Sequence, residues 1–257
     1  MSLNDIGLIH LRGRRLEAAK DHFEQAAAVF RELDAAHWEA VVTANLAEVT
    51  YELARPEEAS GFVLRALEMH RELGNQGGEG NALRILSAIQ RDRGRLEEAL
   101  ASAEGALEIA RTHRNHMWEG YWLLELGRAQ LANGVFDAAL VSFQRAASLQ
   151  RRLGDRAREA RAWDGAGETY RRLGRSGEAA DFHRRAAAAH RELDDLWHMA
   201  LSLDGLAGAL REVDEADGAD GAEEARRHWA EVLRALASYD DPRAVALRER
   251  VSATLAQ

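Results

Sequence analysis

Alanine returns every 40 residues through most of this chain, at Ala19, Ala59, Ala99, Ala139 and Ala179, and again seven places on at Ala26, Ala66, Ala106, Ala146 and Ala186. Twelve places before the first alanine of each set stand Gly7, Ala47, Ser87, Gly127, Gly167 and, in the sixth repeat, Ala207, all small. One residue earlier are Ile6, Leu46, Leu86, Leu126, Ala166 and Leu206. Self-similarity at such a period is the signature of stacked supersecondary units, each unable to bury its apolar face alone. Within the unit from Asn81 to Ala110, Leu83, Leu86 and Ile89 fall at helical spacing and stop before Gly94. Ala99, Leu100, Ala103, Ala106, Leu107 and Ala110 then form a second apolar stripe. The unit is therefore a helix, a glycine turn and a second helix. Small residues at fixed places mark close helix crossings, where bulk would hold the backbones apart. The turns carry Gly94, Gly134 and Gly174 in register, with Ala54 in repeat 2 and Gly13 displaced by one place in repeat 1.

The stretch Trp163-Asp164-Gly165-Ala166-Gly167-Glu168-Thr169-Tyr170, followed by Gly174, Ala179 and Ala186, resembles the tetratricopeptide repeat. The resemblance covers nearly the whole chain and departs in its period, 40 residues here against the usual 34. It is similar to the longer repeats of kinesin light chains and bacterial signalling proteins. The expected fold is an all-α right-handed solenoid of six helix-turn-helix repeats, at about 1–35, 36–75, 76–115, 116–155, 156–195 and 196–241. A capping helix at 242–256 completes one domain over 1–257. In repeat 6, Asp214 to Gly221 reads as an inserted loop before a second helix from Ala222 to Tyr239. Asp240-Asp241-Pro242 reads as the start of the capping helix. Repeat 1 opens without a polar cap before Leu3, Ile6 and Leu8. This predicts a covering element, upstream sequence in a longer protein, or a homo-oligomer formed through the N-terminal repeat end.

Composition narrows the function. The net charge of −9 argues against nucleic-acid binding, which needs clustered basic surface. No apolar run approaches membrane-spanning length, so no membrane association is expected and the predicted location is cytoplasmic. With no cysteine there is neither a disulfide framework nor a thiolate metal site. Basic charge is almost all arginine, Lys20 being the only lysine, which hints at a GC-rich bacterial genome.

No catalytic, cofactor or metal motif assembles. His113 and His116 stand three apart with no third ligand in view. His70 and His190 share a repeat position and read as packing residues. Gly77-Gly78-Glu79-Gly80 has neither a preceding strand nor a following lysine, so it reads as a loosened repeat junction rather than a phosphate loop. The acids of Asp214 to Glu224 lack the ligand order of a calcium loop. The chain is expected not to be an enzyme.

What remains is the groove that first helices line in tetratricopeptide arrays. Carried over residue by residue, it comprises Asn45, Glu48 and Tyr51, then Asn81, Arg84 and Arg91, then Tyr121, Leu124 and Arg128, and Arg161, Glu168 and Arg171. Chaperone-tail clamps place lysine and asparagine at set positions, of which only Asn45 is present. Aromatic residues and arginine concentrate binding energy at interfaces, and arginine presents a planar fork to carboxylates. Arg84, Arg91, Arg128 and Arg161 thus suit an acidic protein or peptide ligand. Equally, Glu125, Asp164 and Glu168 stand close enough in sequence to neutralise them. The resemblance implies a non-catalytic scaffold or sensor, the C-terminal part of a larger bacterial signalling regulator. The alternatives are a self-association module and the recognition arm of an enzyme whose catalytic domain lies elsewhere.

Overall fold

The computed structural model describes residues 2–217 and 221–256, the side chains of 214–217 excepted. Among them are thirteen helices and no strand. They are α1 (Leu3–Arg12), α2 (Leu16–Glu32), α3 (Ala36–Glu52), α4 (Pro56–Glu72), α5 (Gln76–Asp92), α6 (Leu96–Thr112) and α7 (His116–Ala132), followed by α8 (Phe136–Leu153), α9 (Arg156–Arg172), α10 (Ser176–Glu192), α11 (Leu196–Asp217), α12 (Gly221–Ala235) and α13 (Pro242–Leu255). The helices fall into two units, one of residues 1–125 with Asp241–Arg243, the other of 126–240 with 244–257.

The repeated alanines are the helix crossings. Ala19, Ala59, Ala99, Ala139 and Ala179 are wholly buried, as are Ala66, Ala106, Ala146 and Ala186. Opposite them, residue sizes trade against each other. A Cβ on Gly7 would lie 2.5 Å from the Phe23 ring, and one on Gly127 would lie 2.7 Å from Phe143. Where the second helix carries only Val63 or Ala103, the first carries Ala47 or Ser87, and Ser87 Oγ donates to the Ala99 carbonyl at 2.8 Å. At the two phenylalanine crossings the ring takes the space that a side chain on the facing glycine would need, as close-packed interiors require. Ala139→Leu is accordingly expected to lower stability by about 1–3 kcal/mol, the usual cost of overpacking. Urea unfolding checks this, and an unchanged midpoint would place the crossing elsewhere.

Three local expectations need correction. The first turn is not displaced: Arg14, at φ 54°, takes the left-handed conformation, whereas Gly13 sits at φ −81°. Left-handed residues therefore recur every twenty places from Arg14 to Asp194, in the turns within repeats and between them alike. The Gly77-Gly78-Glu79-Gly80 junction is not loosened either. It forms the first turn of α5, and added Cβ atoms at its three glycines would lie 2.2–2.5 Å from Trp118, His70 and Trp122. Glycine here makes room for rings. In repeat 6, α11 continues to Asp217 through the first part of the expected loop, and 218–220 lie outside the described residues. The first glycine after Gly208 is Gly218, so no strong breaker stands earlier. Helix α12 ends at Ala235 rather than Tyr239.

In the first unit Phe23 packs among Leu16, Val42, Leu46 and Val49, and Val63 among Tyr51, Ile85 and Ile89. In the second, Leu203 and Leu206 meet Trp229 and Val232, and Leu247 and Val251 of α13 join the same core. Arg14 is also tied down: its side chain, 8% exposed, donates to both oxygens of Asp241 at 2.9 and 2.6 Å and to Glu52 at 3.1 Å. Asp241 thus serves Arg14 in addition to its place before Pro242.

Candidate functional site

Each first helix from α5 onward starts on a residue that fixes its register. Asn75, Asn115, Asp155 and Asp195, 40 apart, accept the backbone N–H three residues on, at 3.0–3.2 Å. These side chains satisfy donors that a helix N-terminus leaves orphaned. They also set which residues of α5, α7, α9 and α11 face outward on the side opposite the second helices.

In the first unit the groove candidates are half-buried and largely committed to one another. Asn45 donates to Asn4 at 2.8 Å. Arg84 bonds Asn81 at 3.1 Å and Glu48 at 3.0 Å. Arg91 pairs with the buried Glu125, and its guanidinium is held above the ordinary range because Glu125, Tyr51 and Asp92 outweigh the cost of burial. Tyr51 is only 8% exposed and gives its hydroxyl to Asp92 at 2.7 Å, with Arg243 over its ring at 4.2 Å. Leu124 is buried, and Tyr121 packs partly against the cluster of Ala106, Ala110 and Trp122.

The second unit differs. Arg171 is neutralised, bonding Glu168 at 2.8 Å and Glu212 at 2.9 Å. Arg161 is not. It takes no part in the ion pairs of its neighbours, and its Nε is buried without a hydrogen-bond partner. Burial, then the charges of Arg128 and Arg158, push it down to about 10, a fall that Asp195 and Asp155 only partly offset. Of the four arginines expected to converge, Arg84 and Arg91 thus lie in the first unit and are compensated. Arg128 and Arg161 lie in the second, beside each other, with positive charge to spare at Arg161. A carboxylate placed there would meet a desolvated guanidinium, where a charged hydrogen bond contributes more than at an open surface.

Sequence reasoning did not find the residues around this arginine. Arg158 and His198 occupy the same repeat position, each three residues after its capping aspartate, and that Asp-x-x-basic spacing was the available signal. His190 is fully buried, as its packing role requires, but it also stands between Asp164 and Asp195. Asp164 is no ordinary surface carboxylate, since it accepts from Ser202 at 2.7 Å and faces His183 Nδ1 at 3.1 Å. His113 lies edge-on to Trp118 and His116 faces Glu119, and no group of three metal-ligating side chains occurs among the described residues.

Comparison with known proteins agrees with this architecture. No match is found among curated proteins. Several solved structures share the fold at low identity. Rap protein complexed with Competence and Sporulation Factor is 17% identical with a TM-score of 0.70, over 99% of this chain and 74% of that one. NprR in complex with its cognate peptide NprX is 13% identical with a TM-score of 0.71, over 96% and 68%. A signal-transduction ATPase with numerous domains and a tetratricopeptide-repeat sensor, from Pyrococcus horikoshii, is 15% identical with a TM-score of 0.64, and the match covers 98% of this chain but 41% of that protein. The model of one repeat family matches residues 1–72, 39–112 and 120–192, and with helix pairs stacked at that period the chain belongs to the tetratricopeptide repeat family.

Proposed function

We propose that the chain is a non-catalytic protein- or peptide-binding module and that the first-helix face of its second unit anchors acidic side chains at Arg161, with Arg128 beside it. The observation that carries this reading is the contrast among the groove arginines. Arg84, Arg91 and Arg171 have carboxylate partners within the chain, whereas Arg161 is desolvated and forms no ion pair among the described residues. Such a group gains most from an anion supplied by a partner. Rap and NprR, which share the fold, were crystallised with Competence and Sporulation Factor and with a cognate peptide, and this supports a peptide or protein as the ligand. The repeat sensor of the multidomain ATPase supports a setting as the sensing part of a larger signalling protein.

The test is affinity capture of a partner on the chain, followed by titration of Arg128→Glu with Arg161→Glu. The double variant should keep its helical circular dichroism and lose at least about tenfold in affinity, or about 1.4 kcal/mol. Undiminished binding, with loss instead on changing exposed second-helix residues such as Leu64 or Val141, would remove the assignment.

A further inference from the structure

Behind Arg161 lies a chain of alternating carboxylates and imidazoles that peptide binding alone does not require. Asp164, one turn along α9, faces His183 and, at 3.7 Å, His190 Nε2. The other ring nitrogen of His190 is 3.6 Å from Asp195, and Asp195 meets His198 Nδ1 at 2.8 Å. The rings of His190 and His198 stack with centroids 5.3 Å apart. His190 is sealed, but the His198 side chain is 25% exposed, so among these imidazoles His198 is the one that solvent reaches. It sits on α11, which packs beside the helix carrying Arg161.

The charged groups facing His198 are few. Asp195 precedes it at the helix start, His190 lies on α10, and Arg161 lies on α9, itself neighboured by Arg158 and Arg128. Both carboxylates stay ionised well below the usual range. Burial opposes this, but the hydrogen bonds of His183 and Ser202 to Asp164 and of His198 to Asp195, with the His190 ring close to both carboxylates, prevail. His190 keeps its proton to higher pH than a free imidazole, because Asp164 and Asp195 overcome its burial. His198 goes the other way. Burial first, opposed by Asp195, and then the Arg161 charge bring it down to about 4. It is therefore the member of this group whose charge a neighbouring anion changes most readily between pH 5 and 7.

Resting on the assignment of Arg161 as an acidic-ligand anchor, we propose that a carboxylate bound there and a proton taken from solvent by His198 favour each other, so that the second unit binds acidic segments more tightly as pH falls from 7 to 5. The anion screens the guanidinium that repels an imidazolium, and the imidazolium adds a second positive charge beside the anion. Linkage makes the two effects equal. Glutamate side chains, with an ordinary pKa of about 4.3, remain mostly ionised across this range.

The coupling is measured without any natural ligand. Proton NMR follows the His198 ring from pH 4 to 8 in the full chain and in Arg161→Gln, with His198→Asn identifying the resonance. The His198 midpoint should rise by about half a unit or more when the Arg161 charge is removed. An unmoved midpoint overturns the inference whether or not Arg161 binds anions. Binding of N-acetylated tetraglutamate is then measured by calorimetry. If bound carboxylate lifts His198 from about 4 by about one unit, affinity should increase about twofold between pH 7 and pH 5. His198→Asn should flatten this dependence while still binding. Equal affinity at both pH values in the unaltered chain overturns the linkage and leaves the anchor standing. Failure of tetraglutamate to bind, or binding that Arg161→Gln leaves intact, overturns the anchor and the linkage with it.

Discussion

Phe143→Ala should destabilise the second unit by about 3–5 kcal/mol, at the upper end for a truncated core aromatic. The reason lies in what surrounds the ring. Phe143 is 1% exposed, between Gly127 of its own repeat and Gly165 of the next, and a Cβ on those glycines would lie 2.7 and 2.2 Å from it. Glycine has no side chain to swing into a vacated space, so the cavity stays largely open and its cost is realised. Because the neighbours are glycines, the loss should also be partly recoverable. Adding Gly127→Ala to Phe143→Ala supplies a methyl and replaces glycine in a helix interior, which by itself is worth about 0.5–1 kcal/mol. In the unaltered chain the same Gly127→Ala should destabilise, since its Cβ meets the ring. Chemical denaturation of the four proteins tests both statements. A loss below about 2 kcal/mol for Phe143→Ala would mean that the crossing collapses more easily than its glycines suggest.

This crossing also shows how far sequence reasoning reaches here. Alanine at a 40-residue period fixes the helix pairs, their register and their close contacts, because a crossing tolerates only small residues wherever it occurs. The pairing of Gly127 with Phe143, against Ala47 with Val63, was out of reach. Periodicity reports what is the same in every repeat and not how two positions compensate within one. The same limit explains the candidate site. Groove positions follow from the repeat, so Arg84, Arg91, Arg128 and Arg161 were legible as a set. Which of them carries spare charge depends on side chains 34 to 36 residues away, Glu48 for Arg84 and Glu125 for Arg91. The histidine–aspartate chain behind Arg161 draws on α9, α10 and α11 together, and its members recur singly in other repeats, His190 as His70, Asp195 as Asp155 and Asp164 as Asp204, but nowhere else as a set.

Arg14→Gly sets the repeat pattern directly against the structure. The pattern recommends the change, since Gly94, Gly134 and Gly174 hold the same left-handed position with φ 72–74°. Arginine at φ 54° pays the steric cost that glycine avoids, about 1–2 kcal/mol. On backbone grounds alone the substitution would stabilise. The structure predicts the opposite, a net loss of about 2 kcal/mol or more. Asp241, whose side chain is 2% exposed, receives two short guanidinium contacts from Arg14. Removing one partner of a buried pair leaves an uncompensated charge and typically costs about 3–5 kcal/mol, more than the backbone returns. Glu52, at 24% exposure, is left able to reach solvent and adds little. The double-mutant cycle separates the terms. Arg14→Gly combined with Asp241→Ala removes the stranded carboxylate and should be more stable than Arg14→Gly alone, with a coupling energy above about 2 kcal/mol. An Arg14→Gly protein as stable as the parent would show that repeat consensus governs this turn and that the pair contributes no more than an exposed one.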